Sequence, residues 1–165
     1  MTSPPLSLVG PVLSIRRFPR AFTFEQLVRM GTVDPDTAEV QVNADGSASV
    51  FAGTTSMGQG NETAFTQIVC ERLGLPPERI KVFWGDSDLI ATGRGNGGSG
   101  AVGGGAPAVL RATEKVIERG RRIAAHMLEA AFEDVRLTDG RFAVAGTDKG
   151  VPFAAAQAAT CLVAG

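Results

Sequence analysis

Histidine and cysteine are scarce in this chain of 165 residues, and each shortage excludes a class of protein. A single histidine, His126, cannot build a histidine metal site, and its position on the polar side of a predicted helix indicates a surface residue. The two cysteines, Cys70 and Cys161, do not imply a disulfide framework. We therefore expect a protein of a reducing, intracellular compartment, the cytoplasm.

Net charge and long apolar runs are also lacking. The 16 basic and 17 acidic residues nearly cancel, and no basic cluster alternates with aromatic residues, which argues against nucleic acid as a partner. No stretch is long and apolar enough to predict a membrane span. An Arg16-Arg17 pair follows an apolar stretch instead of preceding it, which is the wrong order for an export signal. Frequent prolines predict an irregular N-terminal arm over residues 1–37, containing one short helix from Phe24 to Met30.

Regular patterns of strands begin at residue 38. Apolar residues alternate on both sides of Asp45-Gly46, which predicts a β-hairpin over residues 38–52. Residues 80–84 predict a further strand. A second hairpin is predicted from Val135–Thr138 and residues 141–145, with the turn between them at Asp139-Gly140.

Two main helices are predicted between and after these strands. The first carries an apolar stripe and is ended by Gly74, and the second has Pro107 in its first turn. A last, short helix is predicted from residue 153 to residue 159. The apolar face of the longest helix is predicted to hold Val109, Leu110, Thr113, Val116, Ile117, Ile123, Ala124, Met127, Leu128 and Ala131. Its charged residues are predicted to be solvated: Arg111, Glu114, Lys115, Glu118, Arg119, Arg121 and Arg122.

The stretch from Gly53 to Ala64 joins a predicted strand to the first main helix and is the best candidate for a binding site. Gly58 and Gly60 flank Gln59, so backbone N–H groups can approach a ligand closely beside one projecting amide. With Asn61 as the expected N-cap, the free N–H groups of the helix face the same loop and favour an anionic or oxygen-rich ligand. The alternative is a tight turn that needs glycine only for its backbone angles.

A second glycine-rich loop runs from residue 93 to residue 100, closely followed by Gly103-Gly104-Gly105. If the two preceding strands lie side by side, both loops and both helix N-termini face one crevice that can hold phosphates and planar heterocycles. Neither loop has the lysine and hydroxyl ending of a phosphate-binding P-loop. The alternative is a flexible surface loop. Asp86 and Asp88 could hold a cation, but an Asx turn is the commoner role, and we predict no metal ligand.

Several motifs together resemble a known family. The Gly-Thr-Thr-Ser-Met-Gly-Gln-Gly-Asn-Glu-Thr run, Gln67-Ile68-Val69, Leu73-Gly74, the segment from Trp84 to Asp88 and Gly98-Ser99 occur in the order and spacing of the molybdenum-binding large subunit of the xanthine dehydrogenase, aldehyde oxidase and carbon monoxide dehydrogenase family. The resemblance runs from about Val40 to Ala159 and covers a fraction of that subunit. It implies that residues 38–165 form a partial molybdopterin-binding domain, α+β in class, with β-hairpins and a further strand packed against two main helices.

The resemblance also implies a site. Gly58, Gln59 and Gly60 would form one contact segment for the pterin cofactor, molybdopterin or its cytosine dinucleotide form, and Gly97, Gly98, Ser99 and Gly100 the other. Iron-sulfur clusters and FAD would lie on partner chains, which would be other parts of a molybdenum hydroxylase acting on small-molecule aldehydes, N-heterocycles or CO.

Two departures from the family limit what this chain can do alone. Gly100 stands where the family often has an arginine, and the motif with the catalytic glutamate is not present, nor is Glu62 a substitute for it. We therefore assign no catalytic residue and expect no hydroxylation by the chain alone. The alternatives are a truncated, non-catalytic interaction module that would self-associate through its exposed apolar surface, and an anion-binding or nucleotide-binding domain.

Overall fold

Two three-stranded sheets and two long helices make up the part of the chain that the computed structural model describes, residues 37–97 and 100–156. The chain is α+β, as predicted. Its strands are β1 (Ala38–Val42), β2 (Ala48–Ala52), β3 (Ile80–Trp84), β4 (Val135–Thr138), β5 (Arg141–Val144) and β6 (Gly150–Pro152). Its long helices are α1 (Asn61–Leu73) and α2 (Gly100–Leu128). Within the described ranges, no helix could cross a membrane.

The first sheet has the order β1-β2-β3 and is built around the predicted hairpin. Strands β1 and β2 are antiparallel, and β3 returns through α1 to lie parallel to β2. The hairpin turns at Gly46, which has a φ of 80°, and the Asp45 carboxylate accepts hydrogen bonds from the Ser47 hydroxyl and N–H. These bonds hold the pKa of the Asp45 carboxyl below its ordinary value. The predicted hairpin and third strand are confirmed.

One face of this sheet is buried against both helices. The buried side chains alternate along the strands, and they pack on the apolar stripe of α1 formed by Phe65, Val69 and Leu73. Helix α1 ends at Gly74, whose φ of 68° and hydrogen bond to Cys70 O close the last turn. A side chain at Gly74 would lie 2.4 Å from Gly140 N, so glycine is also needed there for the close approach of the β4–β5 turn.

Helix α2 begins at Gly100, so the prediction of its start near Pro107 is wrong. Pro107 lies inside the helix, and Gly103-Gly104-Gly105 are helical instead of extending the loop. The predicted apolar face is also partly wrong, because Leu110 and Met127 are exposed and Ala131 lies beyond the end of the helix. The residues that are buried are mostly small: Ala101, Gly104, Gly105, Ala108, Val109, Thr113, Gly120, Ala124 and Ala125.

Small residues let the first half of α2 pack unusually close to its neighbours. A Cβ built on Gly105 would lie 2.8 Å from Cζ of Phe65 and 3.0 Å from Cγ2 of Thr54. Both side chains are almost fully buried and cannot move aside easily. Close packing against α1 and the first loop therefore compensates for the low helix propensity of three consecutive glycines.

The second sheet contains the predicted hairpin and one strand that was not predicted. Strands β4, β5 and β6 form an antiparallel meander, and the ring of Phe142 packs on Phe153. Residues 153–156 are helical, and the remainder of the predicted last helix lies outside the described residues. The predicted helix from Phe24 to Met30 and Cys161 lie outside them too.

Arg121 connects this second sheet to α2, which corrects the prediction that all charges of α2 are solvated. Its guanidinium donates hydrogen bonds to Val135 O and Phe132 O, both at 2.9 Å, and lies over the Phe132 ring at 4.1 Å. The predicted pair of Glu118 and Arg122 does form on the exposed side of the helix.

Close packing at Gly105 gives a testable prediction. Gly105→Ala should lower the free energy of unfolding by about 1–2 kcal/mol, because overpacking exceeds the gain in helix propensity. Gly103→Ala is the matched control: its Cβ meets no atom within 4 Å, so it should leave the stability unchanged or raise it by up to about 1 kcal/mol. Urea denaturation of both variants measures the difference. Equal effects would contradict this packing.

The role of Arg121 gives a second prediction. Arg121→Met should lower the free energy of unfolding by about 2 kcal/mol, because two carbonyl groups lose a charged donor. Arg122→Met removes an exposed ion pair from the next position and should change the stability by less than about 0.5 kcal/mol. Thermal denaturation followed by circular dichroism compares the two variants. A similar loss of stability in both would show that the hydrogen bonds of Arg121 contribute no more than an exposed ion pair.

Candidate functional site

Two loops meet at the edge of the first sheet where β2 and β3 end. Because β2 and β3 are parallel neighbours, the loop after β2 and the connection after β3 leave the sheet at the same edge. Gly95 N–H donates to Gly53 O at 3.1 Å, and the buried Thr54 hydroxyl donates to Gly95 O at 2.9 Å. The two glycine-rich segments are thus joined by direct hydrogen bonds, as the sequence predicts for strands that lie side by side.

Glycine is required for this contact between the loops. A Cβ built on Gly93 would lie 2.2 Å from Gly53 O, far closer than any side chain could be tolerated. Residues 93–95 therefore pack against the start of the first loop as bare backbone. Residues 93–95 do not form the flexible surface loop that was the alternative in the sequence analysis. Hydrogen bonds of Gly95 with Gly53 and Thr54 fix them to the sheet edge.

The first loop is open to solvent at its two central glycines. Gly58 and Gly60 have φ values of 90° and 81°, and a Cβ on either would meet no atom within 4 Å. The Gln59 amide between them folds back on its own loop, accepting from Met57 N–H and donating to Thr55 O at 3.4 Å. Its side chain still has one N–H and one lone pair for another partner.

Asn61 is the first residue of α1 and not its N-cap, which corrects the prediction. Gly60 takes the cap position with a left-handed backbone, and no side chain caps the helix. The Asn61 side chain is buried at 2% exposure and donates from Nδ2 to Thr55 O at 3.2 Å. Its Oδ1 has no hydrogen-bond partner among the described residues. The helix therefore offers uncapped N–H groups to the loop, with an unsatisfied acceptor at the base of the loop.

The second predicted contact segment is described only at its ends. Gly97 and Gly100 belong to the described ranges, whereas Gly98 and Ser99 lie outside them. Gly100 begins α2, and its N–H donates to Gly97 O at 2.9 Å. A Cβ on Gly97 would meet no atom within 4 Å, so space is open beside the backbone there, as it is at Gly58 and Gly60.

Arg94 is a residue near this site that the sequence analysis missed. Its Nη1 lies 3.4 Å and its Cζ 3.7 Å from the position of a Cβ built on Gly100, so the guanidinium lies beside the first residue of α2. The signal available in the sequence was a single arginine inside a glycine-rich loop.

The acidic pair after β3 forms a turn. Asp86 Oδ1 accepts the Asp88 N–H at 2.9 Å, and Asp86 O accepts the Ile90 N–H at 2.9 Å. This is the Asx turn considered from the sequence. Within residues 37–97 and 100–156, no group of three histidine, cysteine, aspartate or glutamate side chains is arranged to hold a metal.

Large exposed apolar side chains belong mostly to the segments that surround these loops. Met57 is 77% exposed and Leu89 52% exposed. Trp84 at the end of β3 and Val102 in the first turn of α2 are also exposed.

The residues present fit a ligand with phosphate oxygens and a planar, polar-edged ring. Open backbone at Gly58, Gly60 and Gly97 allows close approach, uncapped N–H groups of α1 can donate to oxygen, and the Asn61 acceptor can receive a ring N–H. Arg94 adds a cation at the opposite loop. These donors and acceptors can bind and orient such a ligand.

Comparison with known proteins agrees with this arrangement. The molybdopterin cofactor-binding domain family matches residues 16–163. The chain is 40% identical over 114 residues to the 6-hydroxypseudooxynicotine dehydrogenase complex subunit gamma of Paenarthrobacter nicotinovorans, covering 69% of this chain and 14% of that protein. It is 37% identical to the carbon monoxide dehydrogenase large chain of Hydrogenophaga pseudoflava, covering 68% of this chain and 14% of that protein.

Solved structures give the same relationship. CO dehydrogenase from Oligotropha carboxidovorans superimposes with a TM-score of 0.72 at 33% identity, over 76% of this chain and 16% of that chain. Quinoline 2-oxidoreductase from Pseudomonas putida 86 gives a TM-score of 0.67 at 34% identity, over 78% of this chain and 16% of that chain.

The family match and the extent of these similarities identify the chain. The match begins at residue 16, inside the predicted arm, and the division at residue 37 stays a prediction. The chain spans 14% of the length of the curated relatives just named, so it corresponds to a small part of a large subunit. The chain belongs to the molybdopterin cofactor-binding domain family and is related to the large subunits of the molybdenum hydroxylases.

Proposed function

We propose that this chain supplies one wall of the molybdopterin-binding cleft of a molybdenum hydroxylase, completed by other parts of the enzyme. The observation that carries the proposal is the direct hydrogen bonding between the two glycine-rich loops through Gly53, Thr54 and Gly95. This hydrogen bonding brings two glycine-rich segments, whose backbone is exposed, to one sheet edge next to the N-terminus of α1. The open backbone and the apolar surroundings suit a planar cofactor that carries phosphate.

The binding roles are divided between the loops. Gly58, Gln59 and Gly60 form the first contact segment, in which Gln59 uses its remaining N–H and lone pair toward a phosphate oxygen and a ring edge. Gly97, Gly98, Ser99 and Gly100 form the second. The uncapped N–H groups at the start of α1 favour an anionic group, which suits the pyrophosphate of a cytosine dinucleotide form of the cofactor.

Arg94 supplies the cation of the second loop. Gly100 leaves room at the position where the family often has an arginine, and the Arg94 guanidinium lies beside that position. A guanidinium forms two parallel hydrogen bonds with a phosphate, so Arg94 can hold the anionic part of the cofactor from the preceding loop.

The chemistry itself depends on other parts of the enzyme. The bound cofactor supplies the redox centre, and the residues of this chain bind and orient it. The catalytic glutamate, the iron-sulfur clusters and FAD belong to other segments or partner chains, and a small aldehyde, N-heterocycle or CO-type molecule is the substrate class. A cytoplasmic location is part of the proposal; its support is that the two cysteines of the sequence do not imply a disulfide framework.

Cofactor content tests the proposed function. The complex containing this chain is purified from a molybdenum-replete host, and molybdenum and pterin are measured per chain. Gln59→Ala should lower pterin retention at least about tenfold, because charge-assisted hydrogen bonds to the cofactor are lost. Gln67→Ala changes an exposed glutamine of α1, outside the loop, and should retain the wild-type content. Absence of molybdenum and pterin from the wild type would favour the interaction module instead.

The salt dependence of cofactor retention tests Arg94. Arg94→Gln should reduce retained pterin about tenfold and flatten its dependence on salt concentration, because one screened ionic contact disappears. Arg122→Gln removes an exposed arginine near the C-terminal end of α2, remote in sequence from the second loop, and should behave as wild type. A salt dependence that is unchanged in Arg94→Gln would show that another residue holds the anion.

A further inference from the structure

One edge of the first sheet presents backbone groups that have no partner among the described residues. At the two ends of β1, Gly53 N–H donates to Thr37 O at 2.9 Å and Asn43 N–H donates to Ser47 O at 2.8 Å. The backbone N–H and C=O groups of the odd-numbered residues of β1 therefore point toward β2. In an antiparallel pair the intervening residues point away. The N–H and C=O groups of Ala38, Val40 and Val42 therefore face outward, and β1 is an edge strand with its hydrogen-bonding row open among the described residues.

A groove with a basic rim runs beside this open edge. Its volume is about 480 Å³, and its floor is formed by Ala108, Ala112 and Val116 of α2. Arg111, Lys115 and Arg119 follow at intervals of four residues along the same flank of the helix. Lys115 and Arg119 have no ion-pair partner among the described residues. Glu39 is the one acidic residue among the described residues that line the groove.

We infer that this edge binds an extended acidic segment of a partner polypeptide, which adds a fourth strand beside β1. The backbone of that strand pairs with Ala38, Val40 and Val42, and alternate side chains point over the α2 flank. Small apolar side chains fit the floor, and carboxylates reach Lys115 and Arg119. The inference concerns a surface that is separate from the two cofactor loops and does not require the cofactor.

Charge distinguishes between the polypeptides that could pair with β1: a second copy of the chain, one of its own terminal segments, or a separate partner. A second copy of this chain would bring its own Lys115 and Arg119 against the same residues, which is repulsive. Residues 1–36 contain four arginines and three acidic residues, and residues 157–165 contain no charged residue, so neither segment offers an acidic strand. An acidic strand from a separate polypeptide can pair with the open backbone groups of β1 and also carries the charge opposite to that of Lys115 and Arg119.

Amide hydrogen exchange of the full chain tests this inference with a synthetic probe, a short peptide of alternating valine and glutamate at about 1 mM. The peptide should slow the exchange of the Ala38, Val40 and Val42 amides about tenfold. The amides of Glu39 and Gln41, which already bond to β2, should not change. The same peptide with lysine in place of glutamate should not bind.

Charge-reversal variants of the basic rim provide a second test of the inference. Lys115→Glu combined with Arg119→Glu should weaken binding of the glutamate peptide about tenfold or more, whereas Lys149→Glu in the exposed β5–β6 turn should not. Three results would overturn the inference: equal binding of both peptides, protection spread evenly over residues 38–42, or protection without peptide that rises with protein concentration. The last result would identify a second copy of the chain as the occupant.

Discussion

The parallel pairing of β2 with β3 is the constraint on which the rest of the structure depends. It requires a crossover through α1, so it fixes α1 against one face of the sheet. It also brings the ends of both strands to one edge, where the Gly53 and Gly95 backbones can bond. The proposed cofactor wall, made of two loops distant in sequence, depends on this one pairing.

Small side chains make the second constraint, at the contact between the helices. The buried side of α2 is mostly alanine and glycine in its first turns, and a methyl group at Gly105 would already collide with Phe65. Close packing there holds the N-terminus of α2 next to the first loop, beside Thr54. The glycines of this chain thus serve two purposes, open backbone in the loops and close approach in the helix.

The sequence predicted correctly the turns and helix ends that depend on only a few neighbouring residues. Both hairpins turn at Asp-Gly pairs, and Gly74 ends α1, because turns and caps depend on a few neighbouring residues. The adjacency of the two loops was predicted on the condition that β2 and β3 lie side by side, and the structure meets that condition. Tertiary packing decided the rest: it extends α2 through three glycines to Gly100. It also recruits Arg121 from a face that looked solvated, and no helical pattern could reveal the carbonyl groups of Phe132 and Val135. The conformation of Gln59 within its own loop was equally hidden from the sequence.

The most direct test of the central claim is amide hydrogen exchange of this chain inside its purified complex, before and after removal of the cofactor. If the two joined loops form one cofactor wall, bound cofactor should slow exchange in residues 53–60 and residues 93–97 together. A change confined to one loop, or no change in either, would contradict the claim that they form a single binding site.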